Sequence, residues 1–362
     1  FSKTIMRLAL IAIALSVAVM IISDSIVVGF QSEIKSKIIQ FAAQIQVSKT
    51  KTNMAYENEP IPDDASFRKN ILAIKGVKHI QAFAQLPGII KTPETSQGII
   101  LKGIDTGFDW QSFSKNIISG TNSISFPKDE PSTEVMLSYA LANKLNLKVG
   151  DTAFTYFFQK PLRFRMFIVK SIYRTDVEEV DEHFMIVDIR QIRQLQKWDD
   201  NQVGGYQVFI ENDNDMDRIN EKIRRDYLSD SLHINQESKT VKQRFPQVYD
   251  WLGLLDVNIR VILLLMTIVA AINMITALLV MILERTKMIG ILKVLGSRSW
   301  QVQRVFIFNA MLLIASGILI GNLVAFGLLE LQLNFHIMKL DAESYYLSEV
   351  PVSFRWWSIA TI

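Results

Sequence analysis

Apolar residues gather in three long runs, and between them the apolar and polar positions alternate with shorter periods. The runs are LALIAIALSVAVMIISDSIVVGF (8–30), VILLLMTIVAAINMITALLVMIL (261–283) and VFIFNAMLLIASGILIGNLVAFGLL (305–329). About 20 apolar residues cross the hydrocarbon of a bilayer as a helix, so each run predicts a membrane span. A fourth run opens at Trp356 and Trp357, aromatic types that favour the headgroup boundary, and is cut off at Ile362. Because the sequence opens at Phe1, not Met, further chain is expected on both sides. The first run is too long for the core of a signal peptide, and no small-x-small cleavage site ends it.

The stretch 31–256 reads differently. QIQVSKTK, KHIQAFAQ, QGIILKGID, FRMFIVKSIY, HFMIVDI and YQVFIEN are rich in β-branched and aromatic residues and predict strands. DASFRKNILAIKG, SYALANKLNL, DIRQIRQLQKW and NDMDRINEKIRRDYL predict helices, with Asp63, Ser138, Asp188 and Asn214 as N-caps. The pattern is that of a large α+β domain. Breaks rich in Gly, Pro, Asn and Ser at 118–132 and 198–205 predict an inner subdomain, about 106–200, inserted into an outer one.

At the joints to the membrane, Ile34, Ile38, Phe41 and Ile45 are spaced 4, 3, 4, and Val241, Phe245, Val248, Leu252 and Leu255 are spaced 4, 3, 4, 3. Both spacings make a seam on one helix face. Two readings fit them: stalks that pack together, or helices packed on the domain core. Pro246 is expected to bend the second.

Charge orients the spans. Lys3 and Arg7 precede the first. Arg285, Lys287, Lys293, Arg298 and Arg304, against the single acid Glu284, lie between the second and third. These stretches are expected in the cytoplasm, with 31–256 and the acid-rich 331–354 outside. The organisation expected is therefore 1–30, first span with its cytoplasmic start; 31–256, outside domain with stalks; 257–283, second span; 284–304, cytoplasmic loop; 305–330, third span; 331–354, outside loop; 355–362, start of a fourth. A hydrophobic content of 49% and a mean hydropathy of +0.20 suit spans plus a sizeable aqueous domain. The net charge of +3 is too small to imply nucleic acid, and with no cysteine the outer domain must fold without disulfides.

Catalytic signatures are missing from the sequence. It has no GxxxxGK[ST] phosphate loop, no HExxH and no GxSxG. His79, His183, His233 and His336 lack ligand spacing, and DVEEVDEH (176–183) lacks the spacing and turn glycine of a calcium loop. The expectation is a protein that is not an enzyme, binds no metal or cofactor itself, and takes energy from elsewhere.

The cytoplasmic loop holds ERTKMIGILKVLG (284–296). Met288, Ile291, Leu292 and Leu295 recur at i, i+3, i+4 and i+7, one face of a short helix. Gly290 lets a neighbouring backbone approach, and Gly296 reads as a C-cap. From spacing alone the helix either docks on a partner or anchors the loop in headgroups. The stretch resembles the coupling helix of the MacB/FtsX superfamily of ABC transporter permeases at Glu284, Arg285, Ile289, Gly290, Ile291, Leu292, Lys293, Leu295 and Gly296; Met288 stands where members often carry Glu. GFQSEIKSKI (29–38) and LDAESYYLSEVPVSFRWW (340–357) resemble the lipoprotein-releasing branch of LolC and LolE, and SYALANKLNLKVGD (138–151) a signature of the superfamily.

The resemblance implies a multi-pass inner-membrane protein with an α+β periplasmic domain of two subdomains. It implies as partners a pair of separate ATPase subunits, which bind ATP and Mg, a second permease (itself or a paralogue), a lipoprotein substrate, a periplasmic carrier and membrane lipids. ATP-driven motion would be relayed through the stalks. The first two spans would line the space that receives acyl chains, where Val19, Met20, Met266 and Met274 suit lipid contact as well as plain packing. The alternatives it leaves are an efflux permease and a mechanical regulator of a cell-wall hydrolase. Gly317 and Gly321 form a GxxxG that reads as helix contact or simple tolerance of glycine; Asn273 and Asn309 are expected to hydrogen-bond between helices.

Overall fold

The computed structural model describes residues 2–50, 57–159, 161–228, 235–340 and 349–353. In chain order its elements begin α1 (Ser2–Ala42), β1 (Ile45–Lys49), β2 (Ile61–Pro62), α2 (Ala65–Leu72), β3 (Val77–Lys91), β4 (Ser96–Ile104), α3 (Trp110–Phe113) and β5 (Ile117–Gly120). There follow β6 (Glu134–Ser138), α4 (Tyr139–Leu145), β7 (Thr152–Phe157), β8 (Arg163–Tyr173), α5 (Glu178–Asp181), β9 (Phe184–Asp188) and α6 (Ile189–Gln196). The last are β10 (Gln202–Val203), β11 (Gly205–Ile210), α7 (Met216–Tyr227), β12 (Gln236–Thr240), α8 (Val241–Arg244), α9 (Pro246–Glu284), α10 (Thr286–Val294) and α11 (Ser299–Phe335). The chain forms two compact units: a helical one from Phe1–Glu33 with Gln247–Ile362, and a mixed one from Ile34–Pro246.

In the mixed unit, strand pairing runs β12-β1-β11-β3-β4-β9-β6-β8-β5, and β7 bridges β3 and β8. The pairings β3–β4–β9–β6–β8–β7–β3 therefore close a ring of six strands. Closure removes exposed sheet edges, which otherwise invite pairing with other chains. Phe83, Leu101, Val135, Phe157, Phe167, Val169, Met185 and Val187 on these strands are fully buried. Gly103 gives α6 its seat: a Cβ there would lie 2.9 Å from the Cα of Ile189. All six expected strands form. The stretch 106–200 contributes β5 to β9, and these join the flanking strands in the same sheet, β9 beside β4 and β7 beside β3.

Two of the four expected N-caps form and two are displaced. Ser138 and Asp188 accept from the backbone as helix caps, but α2 is capped by Asp64, not Asp63. The Asp63 carboxylate is instead engaged by Arg68 at 2.8 Å. Asn214 sits inside a 3-10 turn capped by Asn212, and the residue before α7 is Asp215.

Among the described residues three helices are long and apolar enough to cross a membrane, Arg7–Ala42, Pro246–Glu284 and Ser299–Phe335, the last turns of the first belonging to the mixed unit. The fourth span expected from Trp356 lies outside the described residues. α11 buries a stripe at Val302, Phe306, Leu313, Gly317, Gly321, Ala325 and Leu329. The stripe faces α1. A Cβ at Gly317 would come 2.6 Å from Cγ2 of Ile13, and one at Gly321 would come 2.7 Å from the carbonyl of Ala14. Of the two readings of the GxxxG, close contact is therefore the one the structure shows, within a single chain. Asn309 departs from expectation: it is exposed on α11, off that stripe. Around the same core Ala9, Ile13, Val17, Ala18, Met20 and Ile21 of α1 gather with Ala277 of α9.

Candidate functional site

Two places stand out: the surface of α10, and the pocket of side chains that grips the end of α1. α10 ends in a Schellman motif, with Ser297 N–H donating to Leu292 O (3.0 Å), Gly296 N–H to Lys293 O (3.1 Å) and Gly296 at φ +89°. Only glycine takes that conformation without strain, so Gly296 is the C-cap its position predicts. Glu284 closes α9 and Arg285 stands between the helices. The outward ridge differs from the expected face. Ile291 (63% exposed), Val294 (88%) and Leu295 (77%) point outward with Met288 and Lys293, whereas Ile289 and Leu292 are half-buried. Val294, absent from the expected set, is the most exposed of them. Lys287, Gly290, Ile291, Val294 and Leu295 line one open, apolar hollow, and a Cβ on Gly290 would meet nothing within 4 Å.

The expected stalk residues divide among four elements. Ile34, Ile38 and Phe41 are buried on α1. Ile45 lies in β1, because Ala43 adopts φ +58° and closes the helix first. Val241 belongs to α8, a separate helix that stops at Phe245 (φ −122°, ψ 56°). Val248 and Leu252 lie on α9, which Pro246 starts instead of bending, since proline has no N–H to lose in a first turn. Neither seam is therefore a continuous helix. Within the helical unit α1 meets α9 at Gln31, whose Nε2 donates to Leu252 O (2.9 Å) and to Asp256 Oδ1 (3.0 Å), and the rings of Phe30 and Trp251 pack edge-on at 5.7 Å.

The mixed unit holds the last turns of α1 through polar groups that periodicity does not reveal. Lys37 Nζ pairs with Asp176 Oδ2 at 2.6 Å, both largely buried. Asn116 donates to Gln40 Oε1 at 3.1 Å, and Phe41 packs edge-on against Phe184 at 4.8 Å. The carbonyl of Phe41 accepts from Lys102 Nζ and from Gln207 Nε2 (3.2 Å), and that of Ala42 from Arg244 Nη1 (2.8 Å). Burial pushes the Lys102 amine well below its ordinary value, with the nearby Arg244 charge acting the same way, and brings Arg244 down to about 10. The one available signal was a lysine inside the apolar strand QGIILKGID.

The acidic stretch 176–183 is a structural turn. Asp181 accepts from Thr175 N and Oγ1 (2.8 Å) and from Asp176 N (2.9 Å), which fixes Asp176 in its left-handed conformation. Burial raises the Asp181 carboxyl above its usual range. Among the described residues no cluster of three metal-ligating side chains occurs. Met20 is buried in the core around α1 with Met266 at its rim, and Val19 and Met274 are half-buried. Two stretches that resemble the lipoprotein-releasing branch meet: a Cβ on Gly29 would lie 2.6 Å from the carbonyl oxygen of Pro351, and Ser353 N donates to Ser25 O.

Comparison with known proteins completes the picture. Residues 7–226 match the model of the MacB-like periplasmic core domain, and residues 260–362 that of the FtsX-like permease C-terminal. The chain is 22% identical to the lipoprotein-releasing system transmembrane protein LolC of Xylella fastidiosa (strain Temecula1), over 100% of this chain and 87% of that protein. It is 21% identical to LolE of Haemophilus influenzae, over 99% and 87%. A solved structure of the periplasmic region of MacB from Actinobacillus actinomycetemcomitans is 12% identical and covers 57% of this chain and 92% of that one, at a TM-score of 0.39. With more than half of its length inside one family model and its last three helices largely inside the other, the chain belongs to the MacB/FtsX-like family of ABC transporter permeases.

Proposed function

We propose that this chain is the membrane subunit of an ABC transporter that lifts lipoproteins out of the inner membrane and passes them to a periplasmic carrier. A separate pair of ATPase subunits, with ATP and Mg, drives the work, and a second permease completes the membrane part. The observation that carries the reading is the ridge Ile291, Val294 and Leu295 on α10, apolar, exposed and capped at both sides by turns. A partner that fills the hollow at Gly290 would bury this ridge. Substrate class and carrier rest on the kinship to LolC and LolE, whose names state lipoprotein release. An apolar strip on β7 and β8 (Phe154, Phe164, Met166 and Ile168), alternating with buried neighbours, offers the mixed unit a surface for a partner outside the membrane.

The test is Gly290→Trp. The indole meets open space in this chain, so expression and thermal midpoint stay at wild type while ATPase docking and ATP-dependent release are lost. An ATPase that still co-purifies, with normal activity, contradicts the assignment of α10.

A further inference from the structure

The chain enters the mixed unit from α1 and leaves it toward α9 at two short crossings. β1, which follows α1, and β12, which precedes α8, pair antiparallel from Ile45↔Thr240 to Lys49↔Gln236, and Val241 N donates to Gln44 O at 2.7 Å. The crossings run side by side. The last carbonyls of a helix have no partner within it and carry partial negative charge. On α1 they are taken by two basic side chains from different places. Lys102 comes from the last third of β4, a strand of the six-strand ring, and its Nζ also lies 3.9 Å from the centre of the Phe41 ring. Arg244 is the last residue of α8. Gln207, the third donor, is itself held by Gln81 Nε2 at 2.9 Å. One turn earlier the Lys37–Asp176 pair adds a further tie. Immediately beyond Arg244 the order ends: Phe245 leaves helical geometry and Pro246 begins a new helix.

We propose that Lys102 and Arg244 are positioning residues that latch the end of α1 to α8 and to the strand ring as one stiff body. Phe245 and Pro246 are then the compliant step in the second crossing. Displacement of α1 is handed to the mixed unit directly, and Arg244 makes the second crossing follow it. Lysine would be an odd choice for β4 on packing grounds alone, since a buried amine is unfavourable unless it serves a partner. Here its partner is a helix end.

The latch rests on the reading of the chain as an ATP-driven permease, and the experiment separates the two. The permease with its ATPase is placed in lipid nanodiscs with a triacylated lipoprotein. ATP turnover, lipoprotein released, and amide exchange in the mixed unit with and without ATP are measured for wild type, Arg244→Met, Lys102→Met and Arg244→Lys. The latch predicts that Arg244→Met keeps ATP turnover within about twofold, lowers release per ATP by about tenfold and abolishes the ATP-dependent change in exchange. Arg244→Lys restores part of the coupling. Lys102→Met keeps the fold, because methionine fills the same volume, and uncouples in the same way. Release per ATP unchanged in both methionine variants overturns the latch. So does a parallel fall of turnover, release and thermal midpoint, which is the mark of a merely structural role. If wild type releases no lipoprotein, the functional reading fails. The exchange arm then still decides: an ATP-dependent change present in wild type and absent in Arg244→Met supports the latch, and no change in wild type overturns it.

Discussion

Gly29 and Lys102 show how single residues carry this architecture. A Cβ on Gly29 has nowhere to go between α1 and the backbone of Pro351 and Ser353, whereas one on Gly253 meets nothing within 4 Å. Gly29→Ala is expected to destabilise the helical unit by about 1–3 kcal/mol through overpacking. Gly253→Ala is expected to be neutral or to add roughly 0.5–1 kcal/mol through helix propensity. Thermal unfolding in detergent compares them. Lys102 makes a pH prediction. Its amine is held well below the ordinary lysine value of 10.5 by burial. An unfolded chain therefore binds more protons than the folded one between the folded value and 10.5, and stability rises with pH across that window. Below the folded value the penalty is full and constant. Denaturant midpoints of Lys102→Met across the same window lose this part of the slope; a slope equal to wild type contradicts the burial. A lone lysine in an apolar strand was visible in the sequence, but its destination, the carbonyl of Phe41 sixty-one positions earlier in the chain, was not.

Elements were legible where periodicity is strong and obscure where it is short or interrupted. The three long apolar helices and six strands follow from runs of apolar residues. β6, β7 and β12 did not; β12 (QESKT) is polar, held by its pairing to β1 and not by an apolar face. The stalk stripes misled at their ends. A 3–4 spacing continues through Ile45 and Val241, but the left-handed Ala43 and the break at Phe245 divide each stripe between two elements. On α10 the i, i+3, i+4, i+7 rule found the right helix and shifted its outward face: Val294 is exposed where Leu292 is half-buried. It follows that Ile291→Asp or Val294→Asp, which place a charge on the exposed ridge, reduce ATPase affinity by about tenfold or more with little change in thermal stability. Leu292→Asp lowers stability as well. Titration of the ATPase against detergent-solubilised variants distinguishes the two sides of the helix. Gly321→Leu, which would drive a side chain into Ala14 and Val17 of α1, is expected to weaken the α1–α11 contact by about 1–3 kcal/mol.

The chain divides into a helical unit that carries the exposed apolar ridge of α10 and a mixed unit closed by a six-strand ring. The ring was beyond reach of the sequence, since its closure needs β7 to pair with both β3 and β8 and the long β3 to change partners along its length. That no phosphate loop occurs was plain in the residues, and the proposed function puts the entry of energy at α10. In the proposed function that energy moves a lipoprotein. The most direct measurement is release of a triacylated lipoprotein from proteoliposomes that contain this permease, its ATPase and a periplasmic carrier. ATP-dependent transfer to the carrier, abolished by Gly290→Trp, is the expected result. Lipoprotein that stays in the liposomes while ATP is hydrolysed at the full rate would contradict it.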